Sequence, residues 1–249
     1  MSLFRDDGVV LRAQKLGEAD RIITLLTRHH GKVRAVARGV RKTKSKFGAR
    51  LEPFSHVDVQ FFSRNNSELI GRGLPLCTQV ETIAPYGGSI VTDYGRYTAG
   101  TAMLETAERF AENEGQPAVQ QYLLLVGGLR TLAAGVHESH LVLDAFLLRS
   151  LAVNGYGATF DDCAKCGMEG PNRFFSLQAG GVLCPDCRVP GCAVPSPETL
   201  VLLGALLSGD WQTADACEPR YWREGSGLVA AYLQWHLERG IRSMRYVEK

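Results

Sequence analysis

The sequence predicts an α+β protein in three kinds of material: an N-terminal OB-type β-barrel, an all-α helical body, and a small four-cysteine zinc module inserted in the helical part. Three observations carry this. The first eighty residues hold five short strand-like runs broken by turns. Residues 90–154 change to helical periodicity. Five of the seven cysteines then crowd into residues 156–195, a stretch rich in Gly and Pro. The expected divisions are 1–80, an OB-fold domain; 81–155, a helical domain; 156–195, the zinc-binding module; and 196–249, C-terminal helices packing on the helical domain.

The strand runs come in order. Val9-Val10-Leu11 is a short apolar run, and Arg21 to Thr27 is rich in Ile, Thr and Leu. His29-His30-Gly31-Lys32 reads as a hairpin turn between that run and the next. In Val33-Arg34-Ala35-Val36-Ala37-Arg38 the residues alternate, so Val33, Ala35 and Ala37 share one face while Arg34, Val36 and Arg38 share the other. Val57 to Phe62 is a fourth strand. Ser63 to Ser67 reads as a turn, and Glu68-Leu69-Ile70 as the start of a fifth strand. Five short strands fit a small closed barrel; a split sandwich has the same pattern.

The helical segments follow from spacing. Tyr97, Met103, Leu104, Ala107 and Phe110 recur on one helix face, and Glu114-Gly115-Gln116-Pro117 ends it. Tyr122–Leu132 and Leu141–Leu151 are two more apolar helical runs. After the cysteine-rich stretch, Ser196-Pro197-Glu198-Thr199 marks a helix start before Leu200–Leu207, and Leu228–Glu238 forms a last helix ending at Gly240. The basic tail with Arg239, Arg242, Arg245 and Lys249 reads as frayed.

Charge is unevenly shared. Residues 1–80 hold fifteen Lys/Arg against seven Asp/Glu, a net of +8, while the remainder holds thirteen against nineteen, a net of −6. A basic domain on an acidic body suits a polyanion binder. The basic residues concentrate from Arg28 to Arg50, where nine Lys/Arg meet no acid. The middle, Gly39 to Gly48, reads as a mobile loop. Arg34, Arg38, Arg41, Lys42, Lys44, Lys46 and Arg50 are the candidate DNA-binding residues, since cations that displace counterions from phosphates drive such binding. Phe47, Phe61 and Phe62 are candidate stacking platforms for unpaired bases, with one of Phe61 and Phe62 expected in the core.

The sharpest local motif is Cys163-Ala-Lys-Cys166 followed by Cys184-Pro-Asp-Cys187. Two Cys-x-x-Cys turns at this separation suit one tetrahedral zinc ion. Four thiolates fill its shell and leave no position for substrate or water, so the ion is structural. Cys192 could compete as a ligand and reads as a spectator; Cys77 and Cys217 read as small core residues.

Other chemistry is sparse. His137-Glu138-Ser139-His140 has its histidines three apart rather than the four of the zinc-protease motif, and sits at a helix start. Asp6-Asp7 and Asp161-Asp162 read as solvated loop pairs. No phosphate loop, dinucleotide fingerprint or nucleophile elbow occurs. The catalytic assignment is therefore none, and the chain is expected not to be an enzyme. No apolar run reaches the ~18 residues of a membrane span, and the N-terminus lacks a secretory signal; the expected location is cytoplasmic, at the nucleoid when bound to DNA.

At this point the chain resembles the RecO family of recombination mediators. Ala37-Arg38-Gly39-Val40-Arg41-Lys42, Ser45-Lys46-Phe47-Gly48 and Leu51-Glu52-Pro53-Phe54 are similar to that family's basic segment. Asn154-Gly155-Tyr156, the two cysteine pairs, Phe175-Ser176 and Gly180-Gly181-Val182-Leu183 are similar to its zinc region. The order of parts also matches. One departure is Ala158, which stands near a place where the family often has proline. The resemblance implies binding of single- and double-stranded DNA, annealing of complementary strands, and engagement of the acidic C-terminal tail of single-stranded DNA-binding protein. It further implies, with RecR, loading of RecA onto coated DNA. The tail pocket would lie in the helical body, where Arg96, Arg130 and Arg149 are the available cations. Two other readings stand beside this one: an RNA-binding or transcription-associated OB/zinc protein, and a metal-dependent nucleic-acid hydrolase.

Overall fold

A computed structural model describes residues 2–63, 73–111, 113–237 and 241–247. The predicted turn at Arg64–Ser67 and strand start at Glu68–Ile70 lie outside these residues, as do Arg239 and Lys249 of the basic tail. The chain forms two compact units, residues 1–134 and 135–249.

The first unit begins with a five-stranded closed barrel. Its strands are β1 (Ser2–Leu16), β2 (Asp20–Thr27), β3 (Gly31–Ala37), β4 (Ser55–Ser63) and β5 (Leu76–Pro85), ordered β1-β2-β3-β5-β4 around the wall. Closure leaves no free sheet edge, which a sandwich would have. All neighbours run antiparallel except β3 and β5, which are parallel and meet at the single pair Val36–Leu76. β3 keeps the predicted alternation: Val33, Ala35 and Ala37 are buried in the barrel core, and Arg34 and Val36 are half-exposed. Val9, Val10 and Leu11 are all buried although they are consecutive. The register explains this, because Val10 pairs with Leu25 and Arg12 with Thr24, leaving Leu11 as a bulge.

Three helices complete the unit: α1 (Gly87–Ile90), α2 (Tyr94–Phe110) and α3 (Val119–Ala134). Asp93 caps α2 by accepting from the Arg96 backbone N–H at 2.8 Å. α2 and α3 pack on each other and on β1. Gly100 lets α2 approach closely, since a Cβ there would lie 2.9 Å from the Phe54 ring. Of the predicted α2 face, Met103, Leu104 and Ala107 are buried and Tyr97 is exposed.

Asp6 and Asp7 are not a solvated loop pair. Both lie in β1, and their side chains anchor neighbours. Asp6 is buried and accepts from the backbone N–H groups of His29 (3.0 Å) and His30 (3.1 Å), with both imidazole Nδ1 atoms against it at 2.9 and 2.7 Å. Asp7 accepts from the Tyr122 hydroxyl of α3, which also meets His56 Nε2 at 2.8 Å. The two carboxylates lie close together yet hold different partners, Asp6 the β2–β3 turn and Asp7 the Tyr122 hydroxyl.

The second unit is built from α4 (Ser139–Val153), a short hairpin of β6 (Phe174–Ser176) and β7 (Gly181–Leu183), and helices α5 (Pro197–Ser208), α6 (Trp211–Ala216) and α7 (Pro219–His236). α4 is buried along nearly its whole length and packs against α5 and α7. Inside this packing the buried Asp144 accepts from the Ser226 hydroxyl. Arg149 is bound to the end of α5, donating to the carbonyls of Leu206 (2.8 Å) and Leu207 (3.1 Å). That supplies the cation a helix C-terminus favours. α7 begins nine residues before the predicted Leu228. Cys77 lies in the barrel core as expected, whereas Cys217 is half-buried at the end of α6, its thiol donating to the Thr213 carbonyl.

Candidate nucleic-acid interface and metal centre

The chain between β3 and β4, residues 38–54, crosses the barrel surface as a series of turns. It is not the free loop its composition suggests. Val40, Phe47 and Leu51 from this segment are buried in the barrel core. Gly39 N–H donates to Asp20 at 2.7 Å, Arg41 N–H to the Ala19 carbonyl at 3.0 Å, and the Arg41 guanidinium to the carbonyls of Glu18 (2.8 Å) and Gly17 (3.3 Å). Lys46 Nζ reaches the Thr78 carbonyl of β5 at 2.9 Å. The apolar residues hold the segment down, and the basic residues between them must therefore point outward.

This corrects the aromatic assignment. Phe47 (2% exposed) and Phe61 (fully buried) fill the barrel and present no face to a base. Phe62 is half-exposed on β4. A phenylalanine among lysines gains more from the apolar interior than from a wet surface, by roughly 1.5–3 kcal/mol.

Arg38, Arg41, Lys42, Lys44, Lys46 and Arg50 are all exposed, and among the described residues none makes an ion pair with a carboxylate. Three other cations of the barrel are paired: Arg5 with Asp58 and Glu81, Arg12 with Glu108, and Arg21 with Glu52. Arg34 differs from the other six candidates. It is half-exposed on β3 and lies 3.7 Å from Glu114. Lys46 and Arg50 form one wall of an open groove of about 480 Å³, and residues 78–82 of β5 form the other. Lys46 and Arg50 are bonded there only to neutral carbonyls, of Thr78 and Lys46, so their charge is left for a phosphate chain along the groove.

In the second unit the four predicted cysteines converge. The ligand atoms of Cys163, Cys166, Cys184 and Cys187 all lie within 4.8 Å of one another, and the Cys166 and Cys184 sulfurs are 3.8 Å apart. Four sulfurs at about 2.3 Å from a tetrahedral ion would be separated by about 3.8 Å. The first pair sits on a turn closed by Gly167 N–H donating to the Cys163 carbonyl at 2.8 Å. The second pair follows β7. Gly181 is required there, because a Cβ would lie 2.6 Å from the Thr159 carbonyl oxygen and its φ is 156°.

The electrostatics suit a bound cation. Backbone N–H groups, Cys184's foremost, pull the Cys163 thiol down to about 6, whereas hydrogen bonding with Cys166 and then Cys184 pushes Cys187 up to about 12. Four thiols this close cannot all ionise alone, and a divalent cation removes that conflict. The cluster can thus hold a metal ion. Cys192, outside the four, is half-buried against Cys163, Phe174, Leu183 and Cys184.

Asp6, Asp7 and His29 also come within 4.8 Å of one another. Here Asp6 already takes two backbone N–H groups and both imidazoles, so the group serves as a hydrogen-bonded anchor for the β2–β3 turn. Sequence reading missed it because pairing between residues 6 and 29 depends on strand register.

A closed five-stranded barrel with a bare cationic surface, joined in one chain to a helical unit with a four-thiolate centre, defines the class as a barrel-and-metal-module protein suited to polyanions. Comparison with known proteins gives the family. Residues 1–86 match the family description Recombination protein O N terminal, and residues 91–245 match Recombination protein O C terminal. The chain is 84% identical to DNA repair protein RecO of Streptomyces avermitilis and 82% identical to that of Streptomyces coelicolor, over the full length of both chains in each case. It is 59% identical to DNA repair protein RecO of Thermobifida fusca, again over the full length. The chain belongs to the RecO family, whose members are named for DNA repair and recombination. No helix among the described residues is long and apolar enough to cross a membrane.

Proposed function

We propose that this protein is a DNA repair and recombination mediator that binds single- and double-stranded DNA and anneals complementary strands, making and breaking no covalent bond. The observation that carries this is the set of exposed cations on the barrel without a carboxylate partner, Arg38, Arg41, Lys42, Lys44, Lys46 and Arg50, to which the half-exposed Arg34 of β3 adds. Two complementary strands repel through their phosphates. A fixed cationic surface releases their counterions, lowers that repulsion and raises the local concentration of both strands.

Within this reading, Cys163, Cys166, Cys184 and Cys187 hold one structural zinc ion. The all-sulfur donor set favours zinc over hard cations, and four thiolates leave no catalytic position. The protein acts in the cytoplasm, at the nucleoid when on DNA. Its partners are RecR, the acidic C-terminal tail of single-stranded DNA-binding protein and, indirectly, RecA. For that tail Arg149 is a poor receptor because its guanidinium is spent on α5; Arg130 of α3 is exposed and Arg96 of α2 half-exposed. The division into 1–80, 81–155, 156–195 and 196–249 is the working organisation of these roles.

The test is annealing of complementary oligonucleotides coated with the cognate single-stranded DNA-binding protein. Duplex should form faster with this protein present, and faster on DNA than on RNA of equal length. An RNA preference would favour the RNA-binding reading, and cleavage of the strands would replace both with a hydrolase.

A further inference from the structure

The segment after the second cysteine pair is held against the metal module. Ala193 exchanges both backbone hydrogen bonds with Phe175 of β6, each 2.9 Å. Side chains alternate along extended chain, so Ala193 shares the face of Phe175 while Cys192 turns to the opposite face, that of Phe174. Phe175 packs toward Phe160 and Tyr232, but Phe174 packs on Cys163, Leu183 and Cys184. Cys192 therefore turns to the Phe174 side and, like Cys187, is half-buried against the cluster of Cys163, Phe174, Leu183 and Cys184, outside the four thiols that lie within 4.8 Å of one another. A fifth thiol stands beside a site that needs four.

We propose that Cys192 is the resolving thiol of a hydroperoxide-reactive site, forming a reversible disulfide with Cys187 when the metal module is oxidised. The proposal rests on the four-thiolate metal reading. Cys187 is half-buried at the cluster's edge, and only Arg188 to Gly191 separate it from Cys192. Metal-bound thiolates keep the nucleophilic form at neutral pH. The Cys187 sulfur attacks hydrogen peroxide; an S–O bond forms, the O–O bond breaks, and the departing hydroxide takes a solvent proton as water. Cys192 then attacks the sulfenic sulfur. The S–S bond forms, the S–O bond breaks, and hydroxide leaves with the Cys192 proton as a second water. Two thiols are oxidised and one peroxide is reduced. With Cys187 in the disulfide, only Cys163, Cys166 and Cys184 would remain to hold the ion, and its binding would weaken. Without Cys192 the sulfenic acid goes on to sulfinic acid, which thiols do not reverse.

The test uses the intact chain with its zinc content measured first. Hydrogen peroxide should release the ion and produce a Cys187–Cys192 cross-linked peptide by mass spectrometry; dithiothreitol and added zinc should restore full occupancy. Cys192→Ser should bind zinc as the parent does and lose it to peroxide, but fail to regain it. If peroxide cross-links only the four ligand cysteines and leaves Cys192 free, or Cys192→Ser recovers its zinc like the parent, the assignment is wrong. Absence of zinc before oxidation would overturn the metal reading instead, and the position of the cross-link still decides the role of Cys192.

Discussion

Replacing Arg41, Lys42, Lys44 and Lys46 together by Ala should flatten the salt dependence of DNA binding without unfolding the barrel. All four side chains are exposed and none is paired with a carboxylate, so each is available to a phosphate. Each phosphate neutralised contributes about 0.9 to the slope of log K against log[salt] on duplex and about 0.7 on single strands. Removing four should thus reduce the slope by about 3.6 on duplex and about 2.8 on single strands. A parent making six such contacts loses roughly three decades of duplex affinity between 50 and 200 mM salt, and the variant roughly one. Folding should be spared because Val40, Phe47 and Leu51 still pin the segment, while the lost surface bonds to Glu18 and Thr78 are worth at most about 1 kcal/mol each. Fluorescence anisotropy of a labelled oligonucleotide across a salt series measures both slopes. Parallel lines for parent and variant would refute the reasoning, even if affinity fell.

Other outcomes follow from the same geometry. Phe47→Ala should lower stability by about 3–5 kcal/mol, read as a drop in urea midpoint, because it empties part of the barrel core. Cys163→Ser with Cys184→Ser should abolish zinc binding and destabilise the module, read by metal content and by thermal melting, while an intact metal content would remove the ligand assignment. Burial pushes the Asp6 carboxyl up, but hydrogen bonds from His30 and His29 outweigh it and hold it below its ordinary 3.8. Its contribution is therefore complete above that value and is lost as pH falls through the folded value; Asp6→Asn should start less stable and lose less over pH 4 to 2. Burial also holds His56 below 6.5 despite the Asp7 carboxylate, so the unfolded chain takes up that proton first and stability should begin to fall as pH drops below 6.5. Urea midpoints across pH 7 to 5 for parent and His56→Gln check this, with a flatter profile expected in the variant.

Much of this architecture was legible because local chemistry fixed it. The alternation from Val33 to Ala37 states which face is core, and β3 obeys it. Two Cys-x-x-Cys turns state their geometry almost alone. The basic run is exposed, but its texture is not that of a mobile loop. Gly, Lys and Ser suggest a free loop, yet three apolar residues spaced through residues 40–51 hold it in the barrel. Phe47 was misread for the same reason, since periodicity is silent in a segment that is neither helix nor strand.

Other features depended on distant partners. Asp6 and Asp7 look solvated until β1 is paired and folded beneath α3. The β6–β7 hairpin and α6 are too short to show a period. The start of α7 was hidden because Arg223, Glu224 and Gly225 interrupt its apolar stripe, though Gly225 is buried beside Leu202 and Leu203. Cys192 drew little weight in sequence, and only the Phe175–Ala193 pairing shows which way it faces.

The most direct measurement is photo-cross-linking of the full chain to an oligonucleotide carrying 5-bromouracil, followed by peptide mapping. Adducts should fall within residues 38–50 and on the facing residues 78–82 of β5, and high salt should remove them. Adducts confined to residues 135–249, with the barrel segment unlabelled, would contradict the claim that the basic segment on the barrel is what holds DNA.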